Sequence, residues 1–177
     1  MCARRQSLSA LFGGVGLAVV FSTSGSAAPS PVGEWMVAKG EAIIRLVDCG
    51  GRYWGLVAWE QKPGGTDAHN PNAALRQRST LGMPILLGLA RSNNPATWSG
   101  HIYNSQDGRT YEGHVSLVGA NTLHVQGCVL GFLCGGENWQ RVRGASAMAA
   151  AGKPGGRSAA IATEAPGRVC SEMLRRH

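Results

Sequence analysis

The chain has 177 residues, 44% of them hydrophobic and 15% charged, with 17 Lys and Arg against 10 Asp and Glu for a formal charge of +7. That length admits one modest domain, and the composition is globular rather than collagenous, disordered or membrane-embedded. Two basic residues fall in the first 27 positions, and five basic with two acidic residues lie from Gly144 onward. The middle keeps ten basic and eight acidic residues, a scattered net of +2 that excludes a polyanion-binding surface and so a nucleic-acid partner.

Residues 1–27 have the layout of a secretory signal peptide. Arg4 and Arg5 precede an apolar run from Leu8 to Phe21, and small residues from Ser22 to Ala28 follow. The run is too short to span a bilayer, so the mature chain is expected to carry no membrane span. Pro29 disfavours cleavage after Ala28, which places the cut after Ala27 with Gly25 at the −3 position. Arg4-Arg5 also resembles a twin-arginine signal, but ordinary secretion is the reading adopted. The expected location is periplasmic or secreted.

Residues 28–143 read as one β domain. After Gly33-Glu34-Trp35, a strand is predicted over Glu41–Asp48, a turn at Cys49-Gly50-Gly51, and a second strand over Arg52–Glu60. Both of these strands are apolar on both faces, which requires cover on both sides; a closed barrel packed by a loop or helix supplies it. Gln61 to Met83 is a long excursion. Within it Asn70-Pro71 reads as an N-cap followed by proline at the first helical position, leading a short helix through Asn72 to Gln77. Pro84–Arg91 is strand-like again.

Trp98 to Cys128 is the most legible stretch, three antiparallel strands with both turns written in. Asp107-Gly108 fits a two-residue type I′ loop. A three-residue loop at Gly119-Ala120-Asn121 sets His114 opposite Gln126, Val115 opposite Val125, Ser116 opposite His124 and Leu117 opposite Leu123, so polar meets polar and apolar meets apolar. A slip of one residue would mix the faces. A last strand over Glu137–Arg143 closes the domain. Residues 144–177 form an Ala- and Gly-rich basic tail with too few large apolar residues to repay ordering, and are expected to be disordered, apart from a terminal helical turn over Cys170–His177.

Cys49, Cys128, Cys134 and Cys170 survive removal of the signal. Four cysteines in an oxidising compartment suggest disulfides, with three pairings open. Cys128 and Cys134 flank the apolar VLGFL and are close enough to bridge or to take other partners. Zinc would need a tighter ligand pair and more histidine nearby.

Taken together, several motifs carry a resemblance. They are Asp67-x-x-Asn70-Pro71, Leu75-Arg76-x-Arg78, Leu81-Gly82-x-Pro84-Ile85-Leu86-x-Gly88, Trp98-x-Gly100-x-Ile102-Tyr103-Asn104, Leu123-x-Val125-x-Gly127-Cys128 and Trp139-x-Arg141-Val142. In this order, from Val32 to Arg143, the chain resembles the domain of unknown function family 2147, exported bacterial proteins without an agreed activity. The resemblance implies an all-β fold, a small antiparallel up-and-down barrel similar to calycins and lipocalins with one short helix in a long loop. It also implies a structural set: Trp35 under Arg141 or Arg143, Trp139, and the cysteines Cys128 and Cys134. Trp54 stands where relatives often have a second cysteine, so Cys49 is left with Cys134, Cys170 or no partner.

The candidate ligand-binding residues are Asp67, Asn70, Arg76, Arg78, Tyr103 and Tyr111, because loops carry function on rigid scaffolds and barrels bind ligands at their mouths. Arg76 and Arg78 can receive a carboxylate or phosphate. The structural reading of the same loop has Asp67 and Asn70 bonding their own turn and Arg76 pairing with Asp67. His101, His114 and His124 lie on a face read as solvated. No Gly-x-Ser-x-Gly, close acid pair or His-Glu-x-x-His occurs, and no cofactor or metal is implied. Two functions follow. One is a non-catalytic barrel holding a small apolar or amphipathic ligand, with Tyr111, Val115, Leu117 and Val125 facing it. The alternative is an envelope-stress or protein-interaction module whose barrel is filled by its own side chains.

Overall fold

The computed structural model describes residues 29–143 and 166–176; the expected signal peptide, its cleavage site and residues 144–165 lie outside them. Eight antiparallel strands form a closed up-and-down barrel: β1 Gly33–Met36, β2 Ala42–Asp48, β3 Arg52–Glu60, β4 Pro84–Arg91, β5 Thr97–Asn104, β6 Arg109–Leu117, β7 Thr122–Val129 and β8 Leu133–Val142. The predicted register of the second hairpin is the observed one, His114 on Gln126 and Leu117 on Leu123.

The first hairpin differs. Asn104 pairs with Arg109, so the loop is Ser105–Gly108, and positive φ is confined to Gly108 at 69°. Asn104 and Asp107 accept the Gln106 and Arg109 amides through their side chains, stabilising a longer turn than Asp-Gly alone suggests. The register moves by two residues relative to a two-residue loop, so each side chain keeps its face.

Side chains alternate between two cores. Trp35, Ile44, Leu46, Tyr53, Trp98, Val115 and Trp139 belong to the inner one, and Trp35, Trp98 and Val115 are wholly buried. The outer core comprises Val47, Cys49, Trp54 and Leu56, covered by Val169 and Met173 of helix α1, Pro166–Arg176. This explains why β3 is apolar on both faces: Tyr53 and Val57 point inward, while Trp54 and Leu56 need α1. The expected terminal helical turn from Cys170 is part of α1, which starts earlier, so the expectation of disorder fails for residues 166–169. Val169 and Met173 are four residues apart and share one helix face, and Cys170 is tied to Cys49. Composition over the whole tail conceals this short amphipathic segment. The other bridge is Cys128–Cys134, which lets β8 begin at Leu133, earlier than the predicted Glu137.

One end of the barrel is sealed. Arg141 lies over the Trp35 ring at 4.1 Å and donates to the carbonyls of Ala120 (2.9 Å), Val32 (2.8 Å) and Ser30 (3.3 Å). The Trp35 indole N–H donates to Pro31 at 2.9 Å. At this end lie the β2–β3, β4–β5 and β6–β7 turns. The β3–β4 excursion and the other hairpin turns stand at the opposite, open end.

The two disulfides differ in what they restrain. Replacing both Cys49 and Cys170 by alanine releases a closure across 121 residues, for which chain entropy predicts a loss of roughly 5 kcal/mol. Replacing Cys128 and Cys134, separated by 6, is expected to cost about 2 kcal/mol. Urea titration of the two double variants checks the order; equal losses would mean that α1 adds nothing to the barrel.

Candidate ligand-binding site at the open end of the barrel

Four of the six predicted site residues meet in one network, on the outer wall. Trp98 points inward, so Tyr103, of opposite parity on β5, points outward, where the excursion covers it. Asp67 is wholly buried. Its Oδ1 accepts the Tyr103 hydroxyl at 2.6 Å; its Oδ2 accepts the Asn70 amide at 2.7 Å and the Arg78 Nε at 2.9 Å, with Arg78 Nη2 at 2.8 Å. Asn70 Nδ2 also reaches the Tyr103 oxygen at 3.0 Å, and the Arg78 guanidinium stands 5.6 Å from the Tyr103 ring centre.

Burial pushes the Asp67 carboxyl upward, but hydrogen bonds from Tyr103, Asn70 and Arg78, with the Arg78 charge, outweigh it and hold the group below its ordinary value. Burial and the adjacent carboxylate push the Tyr103 phenol up. The network is thus a proton donor set closed around one carboxylate, and it pins the excursion to the wall. Gly108 completes the attachment: a Cβ there would lie 1.9 Å from the His69 carbonyl oxygen, so only glycine lets the β5–β6 turn approach the excursion backbone.

Two sequence expectations are corrected here. Asp67 pairs with Arg78 and not with Arg76, whose Nε donates to the Asn70 carbonyl at 2.8 Å. The cap of the short helix is Asn72, whose side chain accepts the Ala74 amide, and the helix is a single 3₁₀ turn, Ala73–Leu75. Asn70 Oδ1 accepts the Asn72 amide, a turn two residues ahead of the helical cap, and its amide nitrogen serves Asp67.

Tyr111 stands apart from this network, its hydroxyl bonded to Asp107, whose carboxyl that bond holds below the usual range. Val115 and Val125 are packed into the inner core, and Leu117 lies toward the sealed end. On the outer face, His114 Nδ1 lies 3.1 Å from Ser99 Oγ and His124 Nδ1 lies 2.8 Å from Asn138 Oδ1, while His101 is exposed.

The open end holds a cavity of about 440 Å³ to which Tyr103 alone of the six candidate residues contributes. Ala42, Ile44, Val57, Ile85 and Ile102 form its apolar wall, and Glu41, Gln61, Lys62, Asn104 and Gln106 its polar rim. Glu60, opposite Ala42 and hence inward, brings a buried Oε2 with no hydrogen-bond partner among the described residues. Gly100, Gly113, Gly127 and Gly135 stand side by side on four strands. Ile102 fills the space at Gly113, 2.6 Å from where a Cβ would sit, whereas nothing lies within 4 Å of that position at Gly135.

A second, larger groove of about 740 Å³ runs outside the wall between the excursion and α1, past Leu56, Leu75, Leu87 and Met173, with Asn70 and Arg78 at its edge. Met83 and Tyr103 border both spaces. Part of the signal for the inner cavity was present in the alternation of β2 and β5, where Ala42 and Ile102 are inward positions next to the open end; Glu60 shares the parity of the outward Trp54 and Leu56 and turns inward only through the bulge at Ile43/Ile44.

An eight-stranded antiparallel barrel, sealed at one end and open over an apolar cavity at the other, has the lipocalin-like barrel fold. Among solved structures it matches protein HP1028 from the human pathogen Helicobacter pylori, described as belonging to the lipocalin family. The TM-score is 0.62 at 17% identity, over 76% of this chain and 99% of that one. Residues 33–141 match the model of a family of uncharacterized proteins conserved in bacteria, domain of unknown function 2147, and the chain belongs to that family. No curated protein matches it.

Because Asp67 ionises more readily folded than its ordinary 3.8, its contribution to stability is present above that pH and is lost as pH falls through the lowered folded value. Asp67→Asn is expected to cost about 2–3 kcal/mol at neutral pH, less than a fully buried pair because Arg78 is partly exposed, and to flatten the acid limb. Urea midpoints of both proteins between pH 3 and 7 check this; parallel curves would remove Asp67 from the account.

Proposed function

We propose that the chain is an exported, non-catalytic barrel that binds a small amphipathic ligand in its open end. The observation that carries the reading is Glu60 Oε2, an acceptor without a donor, beside an apolar wall of Ala42, Ile44, Val57 and Ile102. A buried acceptor left unpaired costs on the order of 1–3 kcal/mol, and a ligand hydroxyl, amide or amine would recover it while the apolar part displaces water. A volume of about 440 Å³ suits a small molecule. The lipocalin-like fold supports a site at this position.

Export is supported by the N-terminal pattern of residues 1–27 and by two disulfides, which are compatible with an oxidising compartment. The non-catalytic reading is supported by the cysteines, all four of the mature chain being bridged, and by Asp67, fully occupied by its partners. A second reading, a filled barrel acting through its surface, is favoured by the packed inner core below the cavity.

Native mass spectrometry of the exported protein, purified without reducing agent, is expected to show a co-purifying mass released on mild unfolding. Long-chain alcohols, amines and fatty acids form the panel for thermal shift; a ligand at 100 times its Kd stabilises by about 2.7 kcal/mol. Ala42→Trp should abolish this stabilisation, and Leu75→Trp, in the outer groove, should leave it intact. A bare mass with no stabilisation by the panel would favour the filled barrel, and the reverse pattern of the two variants would move the site to the groove.

A further inference from the structure

The β7–β8 hairpin rises beyond the closed part of the barrel. β8 pairs with β7 along its length, from Leu133 on Val129 to Gln140 on Thr122, but with β1 only at Gln140, Arg141 and Val142. From Leu133 to Trp139 the other side of β8 has no strand neighbour among the described residues, and every residue from Leu133 to Asn138 is exposed. The tip is apolar: Val129, Leu130, Phe132 and Leu133 are 45%, 79%, 71% and 61% exposed.

The tip is also held in place. Cys128–Cys134 staples its base, and Leu130 sits at a φ of 54°, a left-handed conformation that a leucine adopts only at a cost. Natural edge strands are guarded by lysine, proline or inward charge. Between Val129 and Trp139 there is no Lys, Arg or Pro, and the single charge, Glu137, accepts from the Trp139 indole.

We propose that this edge is a homodimer interface, β8 against β8 of a second copy across a two-fold axis. The four tip side chains expose on the order of 400 Å² of apolar surface, short of the roughly 800 Å² per partner of a stable interface; tip and strand edge together approach it. A bilayer would take up the tip but leave the edge amides and carbonyls unpaired, which hydrocarbon penalises heavily. A strand satisfies both, and an antiparallel copy of the same edge is self-complementary.

Gly136 on the axis sets Leu133 opposite the partner's Trp139, Cys134 opposite the partner's Asn138 and Gly135 opposite the partner's Glu137. This register uses the unpaired stretch of both chains and stops where β1 begins. It brings Leu130 and Phe132 to the partner's Met36 and Val37, at the rim of the open end. The interface does not depend on the ligand proposed above.

The test is sedimentation of the exported, oxidised chain at tens of micromolar, alone and as the double variant Leu130→Asn with Phe132→Ser. Both positions are exposed, and Asn tolerates the left-handed φ better than Leu, so at dilutions where the parent is monomeric too the variant is expected to melt no lower than the parent. The parent should sediment at twice the monomer mass and the variant as a monomer. Edge amides between Leu133 and Trp139 should exchange more slowly in the parent as concentration rises. A monomeric parent would overturn the proposal. So would a variant that stays dimeric, edge protection in a monomer, which assigns the edge to another segment of the chain, or a monomer that binds neutral phosphatidylcholine vesicles through the tip.

Discussion

Barrel closure rests on a four-residue strand, and three residue pairs between β1 and β8 complete the ring. So short a seam is marginal by backbone pairing alone. Arg141 reinforces it, because one guanidinium stacks on Trp35 and draws in three carbonyls, from the N-terminal approach and from the β6–β7 turn. A cation–π contact of this kind contributes about 0.5–2 kcal/mol, and each charge-assisted hydrogen bond adds more than a neutral one. Because β1 ends at Met36, everything beyond that level on the β8 side stays unclosed. The sealed end, the open end and the free edge of β8 are three consequences of one short strand.

The same economy explains α1. A barrel normally presents alternating residues to water, yet β2 and β3 place Val47, Trp54 and Leu56 outward. These side chains demand a cover, and the cover is remote in sequence. Joining it covalently at Cys49 removes most of the entropy of bringing a distant helix back to the wall. The outer groove exists because the helix and the excursion approach the same wall from different sides without meeting.

Much of this was legible. Strand identities followed from alternation, and the second hairpin's register followed from matching polar and apolar faces, because a wrong register would have buried His124 or exposed Val125. The Asp107-Gly108 turn was placed correctly but its length was not, since a shift of two residues leaves both faces unchanged and pattern cannot detect it. Asn70 and Asn72 are both competent caps by residue type and each accepts an amide two residues on; the Asn70 amide nitrogen is also held by Asp67 and by Tyr103, 33 residues on, and the 3₁₀ turn starts after Asn72. Arg76 against Arg78 is the same kind of choice, made by the Thr66–Ser79 bridge and by the Asp67 amide on the Arg78 carbonyl, which set Arg78 directly beside Asp67. Local rules limit each of these to two options, and a partner far along the chain selects one.

The inner cavity was less legible for a related reason. Sequence reading favoured the residues richest in chemistry, Asp67, Asn70 and Arg78, yet those are the groups the fold has consumed in satisfying one another. Asp67 accepts from three side chains and is inaccessible. Glu60 offered no motif, being one more residue at the end of a strand, but its Oε2 is buried and unanswered. A polar group contributes to stability when its partners are internal and to recognition when one of them must come from outside. The two carboxylates differ in this respect, and the proposed binding function therefore rests on Glu60 and not on Asp67.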